Sequence, residues 1–230
     1  MLPIPARSPI EGGPQAKAVA ARRRSRHLRA RSGWRCRTPP QTDRRGPHPS
    51  RMGLLSHELL AFDLDGVGEV GIVGCAVGAP FAVLVAEQLF ASGCRLLISV
   101  TSAGQITPIG PTPYFVLIDR AIRDEGTSYH YLPGSTFAEA PDASLLARVE
   151  QAGRAHPDIA LHWGTTWTTD APYRETESAI ARARDLGTLA VEMEAAALYA
   201  FSASSGHSIV CFAHVTNAMA QSGGLREGRG

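Results

Sequence analysis

Long hydrophobic runs are missing from the sequence. No stretch of about 18 apolar residues is free of charge, glycine or polar breaks, which argues against a membrane-spanning helix. Cysteine is scarce. The four, at positions 36, 75, 94 and 211, form no C-x-x-C pair and no pattern of a secreted disulfide scaffold, so reduced thiols and a cytoplasmic location are expected. Phosphate-loop chemistry of the nucleotide-triphosphate type lacks its Gly-Lys-Ser/Thr ending, and acyl transfer lacks a G-x-S-x-G nucleophile elbow. Cys211 and His214 have no third metal-ligating residue nearby, so no metal site is expected. No internal repeat is visible. What remains is a chain of 230 residues, 44% hydrophobic and 19% charged, long enough for one domain with a sizeable core.

The net charge of +2 hides a division. Residues 1–52 carry 13 basic side chains, 12 arginines and Lys17, against only Glu11 and Asp43. That leaves ten basic and 19 acidic groups in the rest of the chain. Eight of the 16 prolines also fall in the first 52 residues. The run Arg22-Arg23-Arg24-Ser25-Arg26-His27-Leu28-Arg29 has almost nothing to bury, and its like charges repel, so 1–52 is expected to be a disordered tail. A basic arm for nucleic acid is one reading of it. A transit peptide is another, although no amphipathic apolar face is present. The mixture of Arg, Pro, Ser, Trp and Cys with almost no Lys fits best the translation of GC-rich DNA upstream of a start at Met52. A chain beginning at Met52 is then expected to keep its fold and melting temperature. A loss of several degrees on truncation would count against this.

From residue 54 the pattern becomes that of an α/β domain. Glu58–Asp65 alternates and ends at Gly66, a strand followed by a turn; Glu69–Ala76 is a second, largely apolar strand. Gly78-Ala79-Pro80 punctuates. Apolar residues at 81, 84, 85, 89 and 90 then predict a helix to Ser92, with Gly93 as its cap. Arg95–Val100 is an apolar strand running into Thr101-Ser102-Ala103-Gly104. Further strands are expected at Tyr114–Ile118, Leu189–Val191 and Ser208–Ala213, and helices at 142–153, 174–186 and Glu192–Ser204. A C-terminal stretch, 221–230, is expected to be disordered or truncated. Alternating strands and helices of this kind predict a mixed, largely parallel sheet covered on both faces, a three-layer α/β/α sandwich over 53–220.

Ligands in such sheets sit where the carboxyl ends of strands meet their loops, which selects four places. At Val77–Pro80, glycine lets backbone approach a ligand and the helix start offers N–H groups to an anion; a plain tight turn explains the same residues. Thr101–Gly104 offers small hydroxyls for a substrate, or for capping backbone. At Val191–Ala197, Glu192 and Glu194 flank Met193 where a strand meets an Ala-rich helix. Capping is the ordinary role of such acids, but a carboxylate facing a cleft accepts two bonds from a vicinal diol such as ribose. His214–Asn217 places polar residues just past a buried strand.

In this region the sequence resembles the nucleoside phosphorylase superfamily, which includes uridine phosphorylase and the hexameric purine nucleoside phosphorylases. The resemblance runs from about Ser56 to Ala218. Val191-Glu192-Met193-Glu194-Ala195-Ala196 is similar to the family's V-E-M-E-[AS]-A signature, and Gly78-Ala79-Pro80 to its G-x-P turn. Asp119–Pro133 resembles the uridine phosphorylase-like D-x-A-x-R-x-x-G-x-S-x-H-[FY]-x-P, and Trp167–Thr176 a T-[ST]-D-x-[FI]-Y-R-E-T segment near the base. The order and spacing of these motifs carry the match.

The resemblance implies cleavage of an N-glycosidic bond, phosphate or water attacking C1′ of an oxocarbenium-like sugar. Glu194 would bind the ribose 2′- and 3′-hydroxyls and Met193 would pack against the sugar. Ala103, Gly104 and Pro172 would contact the base, and Gly78 and Ser102 the phosphate. Asn217 stands where purine enzymes have the acid that protonates the base; an amide cannot donate an acidic proton, which favours a pyrimidine or altered base. The resemblance implies no cofactor beyond inorganic phosphate as co-substrate, a small-molecule nucleoside as partner, and a homo-oligomer. Departures are also present. Ser99 replaces an arginine of the phosphate site, the early Gly-Asp-Pro phosphate loop is absent, and His57 is followed by Glu58 rather than Arg. A phosphate dianion without arginine is poorly held. Arg123 is the remaining cation of interest, either for phosphate or for an ion pair with Asp119 or Asp124. The expected function is phosphorolysis of a nucleoside. Hydrolysis and a truncated, non-catalytic family member are the alternatives.

Overall fold

The computed structural model describes residues 59–218. The tail expected over 1–52, the start at Met52 and the segment 221–230 lie outside the described residues. The first two strands, β1 (Leu59–Leu64) and β2 (Gly68–Val73), form an antiparallel hairpin of their own, apart from the main sheet. The turn between them is made by Gly66 and Gly68 at φ 80° and 99°, and the Val67 N–H closes on the Leu64 carbonyl at 3.0 Å.

After the Gly78 turn comes α1 (Ala79–Ala91), opened by Pro80 in its first turn and closed by Gly93 at φ 97°, the expected C-terminal glycine. The main sheet then assembles from β3 (Leu97–Gln105), β4 (Tyr114–Asp124), β5 (Phe137–Glu139), β6 (Leu161–Thr169), β7 (Thr188–Glu192) and β8 (Ile209–Ala218). Its order is β5-β4-β6-β7-β3-β8, and β4 also pairs with β8, so β4, β6, β7, β3 and β8 close on themselves. The sheet is mixed. The ladders β3–β8, β4–β6 and β6–β7 are parallel, and β3–β7, β4–β5 and β4–β8 are antiparallel.

Helices cover both faces, as the alternation of side chains along the strands requires. On β4, Val116 and Ile118 point to the cluster that contains α1 and α4 (Ala195–Ser205), while Leu117 points to α2 (Ala143–Arg154) through Leu145 and Leu146. On β8, Ile209, Cys211, Ala213 and Val215 share the first face; Val210 and Phe212 share the second. The third helix, α3 (Glu177–Asp185), lays Ala183 on Ile106, Trp167 and Val191. Residues 195–202 of α4 are all buried, which explains a helix with almost no polar face: the small alanines let it sit against α1 and the sheet at once.

Tyr199 ties α4 to two strands. Its hydroxyl donates to the Ile118 carbonyl at 2.6 Å and accepts from the Cys211 N–H at 3.1 Å. Burial holds both the Tyr199 phenol and the Cys211 thiol well above their ordinary pKa values, so both stay neutral. Replacing Tyr199 by Phe strands a buried N–H and a buried carbonyl in one step. Urea unfolding is expected to show a loss of about 1–3 kcal/mol. A change below about 0.5 kcal/mol would show that these groups find other partners.

Five segments differ from expectation. β3 continues through Thr101–Gln105 and β8 through His214–Asn217, where loops were expected, because the parallel ladder between them runs on from Leu97↔Ile209 to Gln105↔Ala218. β4 extends to Asp124 along β6, and β6 itself was not expected at all. The helix expected from Glu192 begins at Ala195, and Glu192 ends β7.

Candidate functional site

The extended β3 carries three expected site residues into the sheet. Gly104 lies beside Val191 of β7 on one side and Asn217 of β8 on the other. Ala103 pairs with Val215 and Ser102 with His214. The turn Glu192-Met193-Glu194 follows directly on Val191, so strand register alone places it next to the Ala103–Gly104 segment. Ala103 and Gly104 are buried, Met193 is half-buried, and Ser102 and Asn217 are exposed. Pro172 sits three residues beyond the end of β6, exposed, in the 3-10 turn Pro172–Arg174.

Glu194 is the N-cap residue of α4 and only 5% exposed. Its Oε1 accepts the Gly78 N–H at 2.6 Å, across 116 residues of sequence, and its Oε2 accepts the Met193 N–H at 3.3 Å. The Gly78 turn and the Glu194 turn are therefore one construction. Gly78 adopts φ 90°, a conformation a side chain rarely takes, and this presents its N–H to the carboxylate. The Gly78 amide, expected at an anion, is thus engaged with Glu194 in this structure. A carboxylate has about four acceptor positions, and two N–H groups leave about two open, which is what a vicinal diol needs.

Glu192, two residues earlier, is 2% exposed. Its Oε2 accepts the N–H groups of Glu194 and Ala195, both at 2.8 Å. Its Oε1 accepts the hydroxyls of Thr168 at 2.5 Å and Thr166 at 3.2 Å. The Thr168 hydroxyl accepts the Ala196 N–H at 2.9 Å in turn. Three free N–H groups at the start of α4 are satisfied in this way. Burial, and then the neighbouring Glu194 charge, push Glu192 from its ordinary 4.5 up to about 7. Sequence reasoning passed over Thr166 and Thr168. Thr168 stood only inside the Trp167–Thr176 segment, with no role of its own, and the hydroxyls of Thr165-Thr166-Trp167-Thr168-Thr169 are too polar to suggest a buried strand.

Arg123 is neither an anion ligand on display nor the partner of Asp119 or Asp124. It is 5% exposed, and its guanidinium donates to the Ser128 and Ser135 hydroxyls and to the carbonyls of Leu132 and Pro133, with the Tyr129 ring 4.3 Å away. It clamps the 128–135 loop. Asp124 accepts instead from the Trp167 indole at 3.0 Å. Among the described residues no arginine is seen at Glu194 or Ser102, and no group of three metal-ligating side chains occurs. A cavity of 540 Å3 beside Pro80 is lined by Val83, Leu84, Glu87, Tyr131 and Asp170; Met193, Glu194, Ala103 and Gly104 do not line it. No described helix is long and apolar enough to cross a membrane.

Comparison with known proteins adds three findings. A family model described as the phosphorylase superfamily matches residues 46–227. A DeoD-type purine nucleoside phosphorylase of Bacillus cytotoxicus is 30% identical over 138 residues, 60% of this chain and 58% of that protein. One from Bacillus thuringiensis (strain Al Hakam) matches with the same identity over the same shares. The matched stretch is thus less than two thirds of the length of these relatives.

Proposed function

The chain belongs to the phosphorylase superfamily, and we propose that it cleaves the N-glycosidic bond of a nucleoside, with phosphate as the attacking group. One observation carries this reading: a buried carboxylate, Glu194, just past the end of β7, accepts two N–H groups, which leaves it acceptor capacity for a ribose diol. In the reaction a phosphate oxygen forms a bond to C1′, the C1′–N bond breaks, and its electron pair leaves with the base. The sugar is cationic at the midpoint. A negative group beneath its hydroxyls stabilises that state more than the neutral ground state, which is the condition for faster chemistry.

We assign Met193 to the sugar face, Ala103, Gly104 and Pro172 to the base, and Ser102 to the phosphate, because the Gly78 N–H is already given to Glu194. Asn217 would hydrogen-bond the base without protonating it. This supports a pyrimidine or altered base, which leaves without an acid at that position, whereas the relatives are named as purine enzymes. Hydrolysis is the second reading, favoured by Ser99 standing where the resemblance calls for an arginine.

Product analysis separates the two. Ribose-1-phosphate formed in proportion to free base is the expected result; free ribose alone, unaffected by phosphate, would establish hydrolysis. Phosphate itself is expected to bind weakly. With the Ser102 hydroxyl but no guanidinium assigned to it, a Kd in the millimolar range or poorer, about −4 kcal/mol or less, is expected. Saturation at micromolar phosphate would show that a cation outside the described residues completes the site.

A further inference from the structure

We propose that Thr168 is a positioning residue for Glu194, acting through Glu192. The proposal rests on the reading of Glu194 as the ribose ligand and identifies what aims it. The chain of contacts is continuous. The Thr168 hydroxyl donates to Glu192 Oε1 at 2.5 Å; Glu192 Oε2 holds the N–H groups of Glu194 and Ala195 at 2.8 Å; Glu194 then reaches the Gly78 N–H at 2.6 Å. The same Thr168 oxygen accepts the Ala196 N–H at 2.9 Å, so one hydroxyl fixes both the acid and the first turn of α4.

The placement follows from the sheet. β6 and β7 are parallel neighbours, and Thr168 is the register partner of Glu192. Thr166, one step back on the same face, adds a longer bond at 3.2 Å. Both threonines are fully buried, as is the acid they serve. A polar strand in the middle of a closed sheet is costly unless its hydroxyls are used, and here those of Thr166 and Thr168 are both spent on Glu192. The N-cap residue Glu194 has no side-chain bond to its own helix, so nothing else at this turn plays the part of a cap.

The charged and titratable groups around Glu192 are Glu194 at the head of α4, Tyr199 further along it, and Cys211 on β8. The phenol and the thiol are held neutral. Glu192 therefore reports its own environment, in which the Thr168 bond favours the charged form against burial and Glu194.

The test compares T168V, which keeps the shape and removes the hydroxyl, with T168S, which restores it. On a ribonucleoside, kcat/KM is expected to fall roughly tenfold or more in T168V, because a carboxylate displaced by a fraction of an ångström loses the diol. On the 2′-deoxynucleoside the loss is expected to be smaller, and T168S recovers most of it. The pH above which thermal stability stops falling is also expected to rise in T168V and to return in T168S. Equal losses on both sugars with that pH unmoved would leave Thr168 a packing residue and overturn the proposal. Should the wild-type chain cleave no nucleoside, the reading of Glu194 as a ribose ligand fails, and hydrogen exchange still decides the clamp. Exchange at Glu194 and Ala195 about tenfold faster in T168V upholds it, and unchanged exchange contradicts it.

Discussion

Glu194→Gln is expected to cut base release from a ribonucleoside by roughly 10²-fold or more, about 2.7 kcal/mol of barrier. The change keeps the size of the side chain and one oxygen. It removes the negative charge under the cationic sugar and turns one acceptor into a donor, which then faces a diol hydroxyl or a backbone N–H. On a 2′-deoxynucleoside, which offers one hydroxyl fewer, the loss is expected to be smaller. Stability is a separate readout. A Gln that accepts the Gly78 N–H through its oxygen leaves the turn intact, so the melting temperature is expected to stay close to wild type. Equal losses on both sugars together with a large drop in melting temperature would make Glu194 a structural cap and not a sugar ligand.

Stability is expected to fall by about 3 kcal/mol as pH rises from about 4.5 to about 7, through Glu192 alone. The sign follows from proton counts. In the unfolded chain the carboxyl loses its proton near 4.5; in the folded protein burial and Glu194 hold it until about 7. Between those values the folded state binds more protons, so raising the pH favours unfolding. The stabilisation is fully present below about 4.5, and the fall levels off above about 7. Glu192→Gln imitates the protonated acid and is expected to remove most of this slope in urea denaturation at stepped pH. A slope that survives the substitution would place the titrating group elsewhere. The same step bears on activity, since a second negative charge two residues from Glu194 alters the field at the sugar.

Much of this arrangement was legible from residue patterns. The helix ended by Gly93, the Ala-rich run after Glu194 and the apolar β8 each follow a local rule that tertiary structure leaves alone. The signature around Glu192 and Glu194 located the carboxylates. Their different surroundings did not follow from spacing: one is enclosed by β6 hydroxyls, the other reaches back to Gly78. β6 was missed because Leu161-His162-Trp163-Gly164-Thr165-Thr166-Trp167-Thr168-Thr169 reads as polar and broken, and the partners of its buried threonines, Glu192 for Thr166 and Thr168 and Asp119 for Thr165, lie far away in sequence. Ser102, Gly104 and Asn217 read as loop because small polar residues after an apolar run usually are. The β3–β8 ladder carries them on as strand by backbone bonds that side chains do not announce. Arg123 read as an available cation because its four acceptors, two hydroxyls and two carbonyls, come from a loop whose path the sequence does not show.

The most direct measurement is base release from a panel of purine and pyrimidine nucleosides, with and without phosphate, by the full chain. Release that depends on phosphate, with ribose-1-phosphate as the second product and lost in E194Q, is the predicted result. No release from any nucleoside under either condition, from protein shown to be folded by its thermal transition, would contradict N-glycosidic cleavage by this chain.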